Sequence, residues 1–171
     1  LFAHGAGSSR HSPRNQHVAE VLRAGGMGTL LFDLLTAEEE EIDMQTRQLR
    51  FDIDLLADRL IGATDWLAHQ EIVHGMPFGY FGASTGAAAA MIAASQRPDL
   101  IEAIVSRGGR ADLAKSALPY VQAGTLLIVG GDDTVVIELN QQAMERLHCE
   151  RQLRIIPDAT HLFEEHGALE Q

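Results

Sequence analysis

Basic side chains are scarce. Lys and Arg together number 13 against 24 Asp and Glu, for a formal charge of −11. A nucleic-acid binder needs a cationic face to neutralise phosphates, so that class is demoted first. An anionic membrane surface is disfavoured for the same reason. Cysteine is almost missing, with Cys149 the single example. That rules out a disulfide framework and a Cys-based zinc cluster, and a lone thiol fits a reducing cytoplasm. No apolar run approaches the ~18–20 residues of a membrane span. Neither an initiator Met nor a signal-like segment opens the chain. It begins on Leu1-Phe2-Ala3, which reads as the end of a buried strand, and stops at Gln171 shortly after an apolar, helix-like start. We therefore expect a portion of a slightly longer domain.

What is present is an ordinary globular composition, 171 residues with 46% hydrophobic and 22% charged. That is one domain with room for a core. Six short apolar runs stand out: 1–3, 28–33 (GTLLFD), 78–83 (FGYFGA), 101–106 (IEAIVS), 125–130 (TLLIVG) and 153–156 (LRII). Most are continuous rather than alternating, as in strands covered on both faces of a parallel sheet. Helical patterns separate them. Ser12-Pro13 reads as an N-cap and first helical position, with Val18, Val21 and Leu22 as an apolar face before Gly25-Gly26. Leu49, Ile53, Leu56, Leu60, Ala63 and Leu67 share a second face. Residues 85–96 form an Ala-rich helix that stops before Pro98, and Val136, Leu139, Ala143 and Leu147 mark another. Alternating strands and helices give an α/β domain with a parallel sheet, and its site belongs in the loops after the strands.

After the third run comes Gly82-Ala83-Ser84-Thr85-Gly86, a G-x-S-x-G between a strand and a helix. A nucleophile on so sharp a turn projects its hydroxyl into the cleft, and the flanking glycines avoid clashes. The following helix N-terminus offers N–H groups to a developing anion. Serine needs a base, and the base needs an orienting carboxylate. Asp132-Asp133 follows the fifth run and His161 follows the sixth. The order Ser…Asp…His is that of α/β-hydrolases rather than of chymotrypsin or subtilisin arrangements. One of the two aspartates is expected only to cap a helix. The oxyanion hole would combine the backbone N–H of Thr85 with that of Ala6, or failing that Gly7, in the small-residue loop after the first run.

Taken together, FAHGAGSSRHSPRNQHVAEVL, GYFGASTGAAAA, VSRGGRADLA, TLLIVGGDDTVV and PDATHLFEEHGALE resemble the α/β-hydrolase superfamily, in its dienelactone-hydrolase-like branch. The resemblance spans nearly the whole chain. It implies a three-layer α/β sandwich with a mostly parallel sheet, no cap domain, and here without the superfamily's N-terminal strands. It implies Ser84 as nucleophile, His161 as base and Asp133 as acid, because the family's G-x-D acid sits just before the helix-starting "xVV". Dienelactone hydrolases proper carry Cys at the nucleophile position, so Ser84 points away from the lactone and toward a generic ester.

The remaining candidates are fewer. Arg107 and Arg110 follow the fourth run, and Arg107 is a candidate clamp for a substrate carboxylate. The alternative is an ion pair with Asp112. Residues 38–41 with Asp43 read as a solvated acidic loop that could also shade the cleft and repel anionic esters. Trp66 is expected in the core and Cys149 as a packing or surface thiol. Histidines at 4, 11, 17, 69, 74, 148, 161 and 166 show no H-x-x-x-H or H-E-x-x-H spacing, so no metal site is expected. The reading is a serine esterase acting on small carboxylic esters, with no cofactor, no metal, no nucleic-acid or membrane partner, and homodimerisation left open. Two alternatives remain. One is a lactone or thioester hydrolase, the other a non-catalytic ligand-binding domain of the same fold. The segment 107–124 is 18 residues long. It must hold a crossover helix, for which 112–117 and 118–121 are the material, and that leaves nothing for a cap.

Overall fold

A computed structural model describes residues 1–165 and 167–169; His166 lies outside the described residues. Five of the apolar runs pair side by side as parallel strands in the order β1-β2-β3-β4-β5. They are β1 (Phe2–Ala3), β2 (Phe78–Ala83), β3 (Ile101–Arg107), β4 (Gly124–Gly130) and β5 (Arg151–Ile156). The run at 28–33 does not become a strand. It touches β1 through a single bridge, Phe2 to Leu31, and one hydrogen bond from the Phe2 N–H to the Leu30 carbonyl. β1 itself is two residues long, so the sheet's first edge offers little backbone to extend.

Alternate strand residues face opposite layers. Tyr80, Ile104 and Leu127 point to one side and are at most 2% exposed. There they meet α4 (Thr85–Gln96), α3 (Ile53–Ala68) and α5 (Thr134–Arg146). Ala87, Ala88, Ala89 and Ala90 are completely buried. Four methyl side chains in succession keep α4 thin, so that it lies close to the sheet behind Ser84. Fully buried Leu60 and Leu127 anchor this layer, and cutting such a leucine to alanine costs about 2–5 kcal/mol. On the other face Ile128 joins Ile156, Ala159 and Phe163 in a smaller cluster.

Several elements differ from the expectation. α1 runs Pro13–Ala24 with Ser12 capping Asn15, as read, but it buries Asn15 and Ala19, whereas Val21 is exposed. The acidic stretch is not a loop. It is α2 (Ala37–Thr46), nucleated by a capping box in which Thr36 and Glu39 exchange side-chain-to-backbone bonds. Its Asp43 is buried and accepts from the Arg50 backbone N–H and guanidinium. Leu49 falls in a separate 3-10 turn, because Asp52 caps α3 afresh at Ile53. Trp66 is 59% exposed, on the solvent side of α3 rather than in the core. On α5 the inward positions are Val136, Asn140 and Ala143, with Leu139 only half-buried. Between β3 and β4 the crossover is a 3-10 segment, Ala111–Tyr120, broken by left-handed backbone at Lys115. It is consumed in covering α4 and α5, and no cap domain is built. No helix among the described residues is long and apolar enough to cross a membrane.

Candidate active site

The carboxyl ends of β1 to β5 converge on Ser84. It sits at φ 48°, ψ −120° between β2 and α4, a conformation that costs a non-glycine residue on the order of 1–3 kcal/mol. Neighbouring glycines make the turn possible. A Cβ on Gly82 would stand 2.5 Å from the Ala87 Cα, and one on Gly86 would overlap the Ala3 carbonyl oxygen. The turn is then tied down from both sides. The Ser84 N–H donates to the Arg107 carbonyl at 3.3 Å, and the Ser84 carbonyl accepts from Arg110 N–H at 3.0 Å and Ala87 N–H at 3.1 Å.

His161 follows β5 and Asp133 follows β4. Their loops are knitted by hydrogen bonds from Gly131 N–H to the Ile156 carbonyl and from Asp132 N–H to the Ala159 carbonyl. Asp133 Oδ2 lies 2.6 Å from His161 Nδ1, and His161 Nε2 lies 3.4 Å from Ser84 Oγ. Asp133 occupies the N-cap position of α5, yet its side chain makes no capping bond; the carboxylate is directed to the imidazole instead. Asp132 is exposed. The capping role expected for one of the pair is therefore filled by neither side chain. The loop bearing His161 is latched by Thr160, whose hydroxyl and N–H both donate to Glu165. These bonds hold the Glu165 carboxyl below its ordinary range.

The first loop runs past the nucleophile. The Gly5 carbonyl accepts from Ser8 N–H, so Ala6 and Gly7 form the corners of a tight turn, Gly7 with φ 69°. A Cβ on Gly5 would stand 3.0 Å from the Ser84 Cβ. Thr85 is the first residue of α4, so its N–H has no partner within the helix. Ala6 and Thr85 thus flank Ser84 from two different elements.

A cleft of about 1060 Å³ opens over Ser84 and His161, with Ala6, Gly7 and Arg107 on its walls. Glu40 of α2 lines it as well, the less favoured of the two readings of the acidic stretch. The two arginines separate. Arg110 forms a two-pronged pair with Asp112, both contacts at 2.8 Å. Arg107 stands over the Phe81 ring at 5.5 Å and donates to Asn15 Oδ1 at 3.1 Å. Burial, and then the charge of Arg14, push its guanidinium down to about 10, which leaves it protonated at neutral pH.

Sequence reasoning missed three supporting residues. His4 is buried, with Nδ1 on the Gly5 carbonyl and Nε2 accepting from Leu34 N–H. That assigns the proton to Nδ1 and fixes the loop carrying Ala6. Asn15 holds Arg107, and Asn140 donates to the Gly109 carbonyl at 2.8 Å. Buried Asn at inward helix positions was the available signal. Among the described residues no group of three or more His, Cys, Asp or Glu could hold a metal ion. Cys149 lies past the end of α5, half-buried, 3.7 Å from Thr125 Oγ1.

A solved dienelactone hydrolase from Anabaena variabilis superposes on this arrangement with a TM-score of 0.97 and 64% sequence identity, covering 99% of this chain and 79% of that one. The chain belongs to the dienelactone hydrolase family. More distant hydrolases share only the fold. A metagenomic dienelactone hydrolase-like promiscuous phosphotriesterase matches at 18% identity and TM-score 0.75, over 97% of this chain and 72% of that one. A monoacylglycerol lipase from Paleococcus ferrophilus matches at 16% and 0.71, over 99% and 88%. Curated relatives in two strains of Mycobacterium tuberculosis are 58% identical over all 171 residues and bear the provisional name phosphoribosyl transferase. The chain spans 38% of their length. No family model matches the chain.

Proposed function

We propose that this dienelactone hydrolase-like domain is a serine hydrolase that cleaves small carboxylic esters through an acyl-enzyme. The observation that carries the reading is the unbroken line Asp133–His161–Ser84, with contacts of 2.6 and 3.4 Å. The longer contact is of the kind that tightens when substrate excludes water. His161 Nε2 removes the Ser84 proton as Oγ attacks the ester carbonyl. The N–H groups of Thr85 and Ala6 receive the negative charge that develops on the carbonyl oxygen. His161 then gives its proton to the departing alkoxide, which leaves as the alcohol. Water, deprotonated by the same imidazole, attacks the acyl-Ser84, and the carboxylic acid is released with Oγ reprotonated. Asp133 keeps the proton of neutral His161 on Nδ1 and stabilises the imidazolium.

The transferase name of the mycobacterial relatives belongs to chains of which this domain is 38%, and the hydrolase reading concerns this domain alone. The test is labelling by a fluorophosphonate probe beside an ester panel, with Ser84→Ala as the control. Labelling and ester turnover that both vanish in Ser84→Ala are expected. Unlabelled wild-type protein, or turnover unchanged in the variant, would overturn the mechanism and favour a binding domain.

A further inference from the structure

Arg107 is a half-buried cation that has no counter-charge among the described residues. It lines the cleft beside Ser84, and among the described residues no carboxylate pairs with it. Its Nη2 is satisfied by the neutral Asn15, and its Nη1 is enclosed with no acceptor. The Phe81 face beneath it offers a quadrupole, not a charge. Arg14, at the start of α1, lines the same cleft, and its Nε is likewise enclosed without an acceptor. Among the described residues its ion-pair partner is Glu164, which is 62% exposed. Arg14 is close enough for its charge to disfavour that of Arg107. Like charges brought together and desolvated are costly. Other acids do not relieve them. Asp33 on the cleft wall is taken by Arg10, and Glu40 belongs to α2 across the opening. This cationic spot persists in a chain of charge −11.

We propose that Arg14 and Arg107 form an anion subsite that receives a phosphoryl group carried by the ester substrate. The proposal rests on the serine-hydrolase reading of the same cleft. A planar carboxylate is satisfied by one guanidinium in a fork-to-fork pair. Two guanidiniums in one cleft, with only the exposed Glu164 on Arg14 among the described residues, call for a ligand of two negative charges and three acceptor oxygens. A phosphate monoester dianion supplies both. It takes no part in bond making. It would replace Glu164 as the partner of Arg14, give Arg107 its missing counter-charge, and hold the ester carbonyl over Ser84.

Three acetyl esters of matched length separate the possibilities: 5-hydroxypentyl acetate, 5-acetoxypentanoate and 3-acetoxypropyl phosphate, each followed by acetate release. For the wild type, kcat/KM should be at least tenfold higher for the phosphate than for the carboxylate, and higher still relative to the neutral ester. The phosphate-to-neutral ratio should fall at least tenfold in Arg107→Gln and in Arg14→Gln, chiefly through KM, and recover in part in Arg107→Lys. Inorganic phosphate should compete with the phosphorylated ester and bind the Ser84→Ala protein in calorimetry. Equal rates for carboxylate and phosphate would overturn the phosphoryl assignment. Equal rates for all three esters would overturn the subsite altogether, even if the arginine variants fail to fold. Absence of any ester turnover or fluorophosphonate labelling, with Arg107-dependent phosphate binding intact, would instead remove the hydrolase reading and leave the anion site standing.

Discussion

Ser84 is held where glycine would be more comfortable, and that cost can be measured. At φ 48°, ψ −120° the backbone strain is on the order of 1–3 kcal/mol for a residue with a Cβ. Ser84→Ala removes the hydroxyl and keeps the strain; Ser84→Gly removes both. The hydroxyl contributes little to folding. It caps nothing on α4 and makes only the 3.4 Å contact to His161. Against the relief stands the greater freedom of glycine in the unfolded chain, about 0.5–1 kcal/mol. The net expectation is that Ser84→Gly is more stable than Ser84→Ala by about 1 kcal/mol. For a domain of this size that is roughly 2–4 °C in Tm. Both variants should lose kcat by about 10³–10⁶. Paired thermal and urea unfolding of the two variants gives the difference directly. A glycine variant equal to or less stable than the alanine variant would refute the claim that the elbow is strained.

Three further outcomes follow from the same geometry. Asp133→Asn should lower kcat by about 10³–10⁴, because only a carboxylate on Nδ1 holds the productive tautomer, whereas Asp132→Asn should change it by no more than a few-fold; the reverse order would mean the acid is Asp132. Tyr80 is 2% exposed and donates to Thr64 Oγ1, whose own proton goes to the Leu60 carbonyl. Burial pushes its phenol up to about 12, so its contribution is whole below pH 10 and lost as pH rises toward 12. Alkaline unfolding should register a loss of about 2–3 kcal/mol over that range that is missing in Tyr80→Phe, and identical pH profiles would refute it. Since the crossover 111–120 covers α4 and α5 and leaves no cap, kcat/KM across p-nitrophenyl esters should peak at short acyl chains without interfacial activation; a maximum at twelve carbons or beyond would reveal an acyl channel.

The elbow was legible because G-x-S-x-G between an apolar run and an Ala-rich helix has few other physical meanings. Asp133 and His161 were legible because each follows a strand, where a parallel sheet gathers its loops. Other features could not be read from period alone. GTLLFD has the composition of a strand, but pairing needs a neighbour, and two-residue β1 offers only one bridge. α2 did carry a signal in Thr36-x-x-Glu39, overridden in the reading by the density of charge that follows it. Trp66 sits at an interior-looking spacing on a helix whose burial is already met by Leu56, Leu60 and Thr64. The choice between Arg107 and Arg110 turned on distance along the chain. Arg110 reaches Asp112 two residues on, while the partner of Arg107 is Asn15, 92 residues away in sequence.

The loop 107–110 connects these observations. Its first and last residues clamp the backbone of Ser84, through the Arg107 carbonyl and the Arg110 N–H. Gly108, at φ 53°, donates to the Ile128 carbonyl at 2.7 Å and passes so near His161 that a Cβ there would stand 2.9 Å from its carbonyl oxygen. Gly109 is held from below by Asn140, the seventh residue of α5, the helix that Asp133 precedes. The same short segment therefore sets the nucleophile's strain, the closeness of the base and the direction of the Arg107 side chain. A group with no slack between its members can keep Ser84 in an unfavourable conformation, because relaxing one contact requires moving the others. Catalytic geometry and substrate charge recognition are, on this reading, coupled through backbone hydrogen bonds rather than through the side chains that carry out the chemistry.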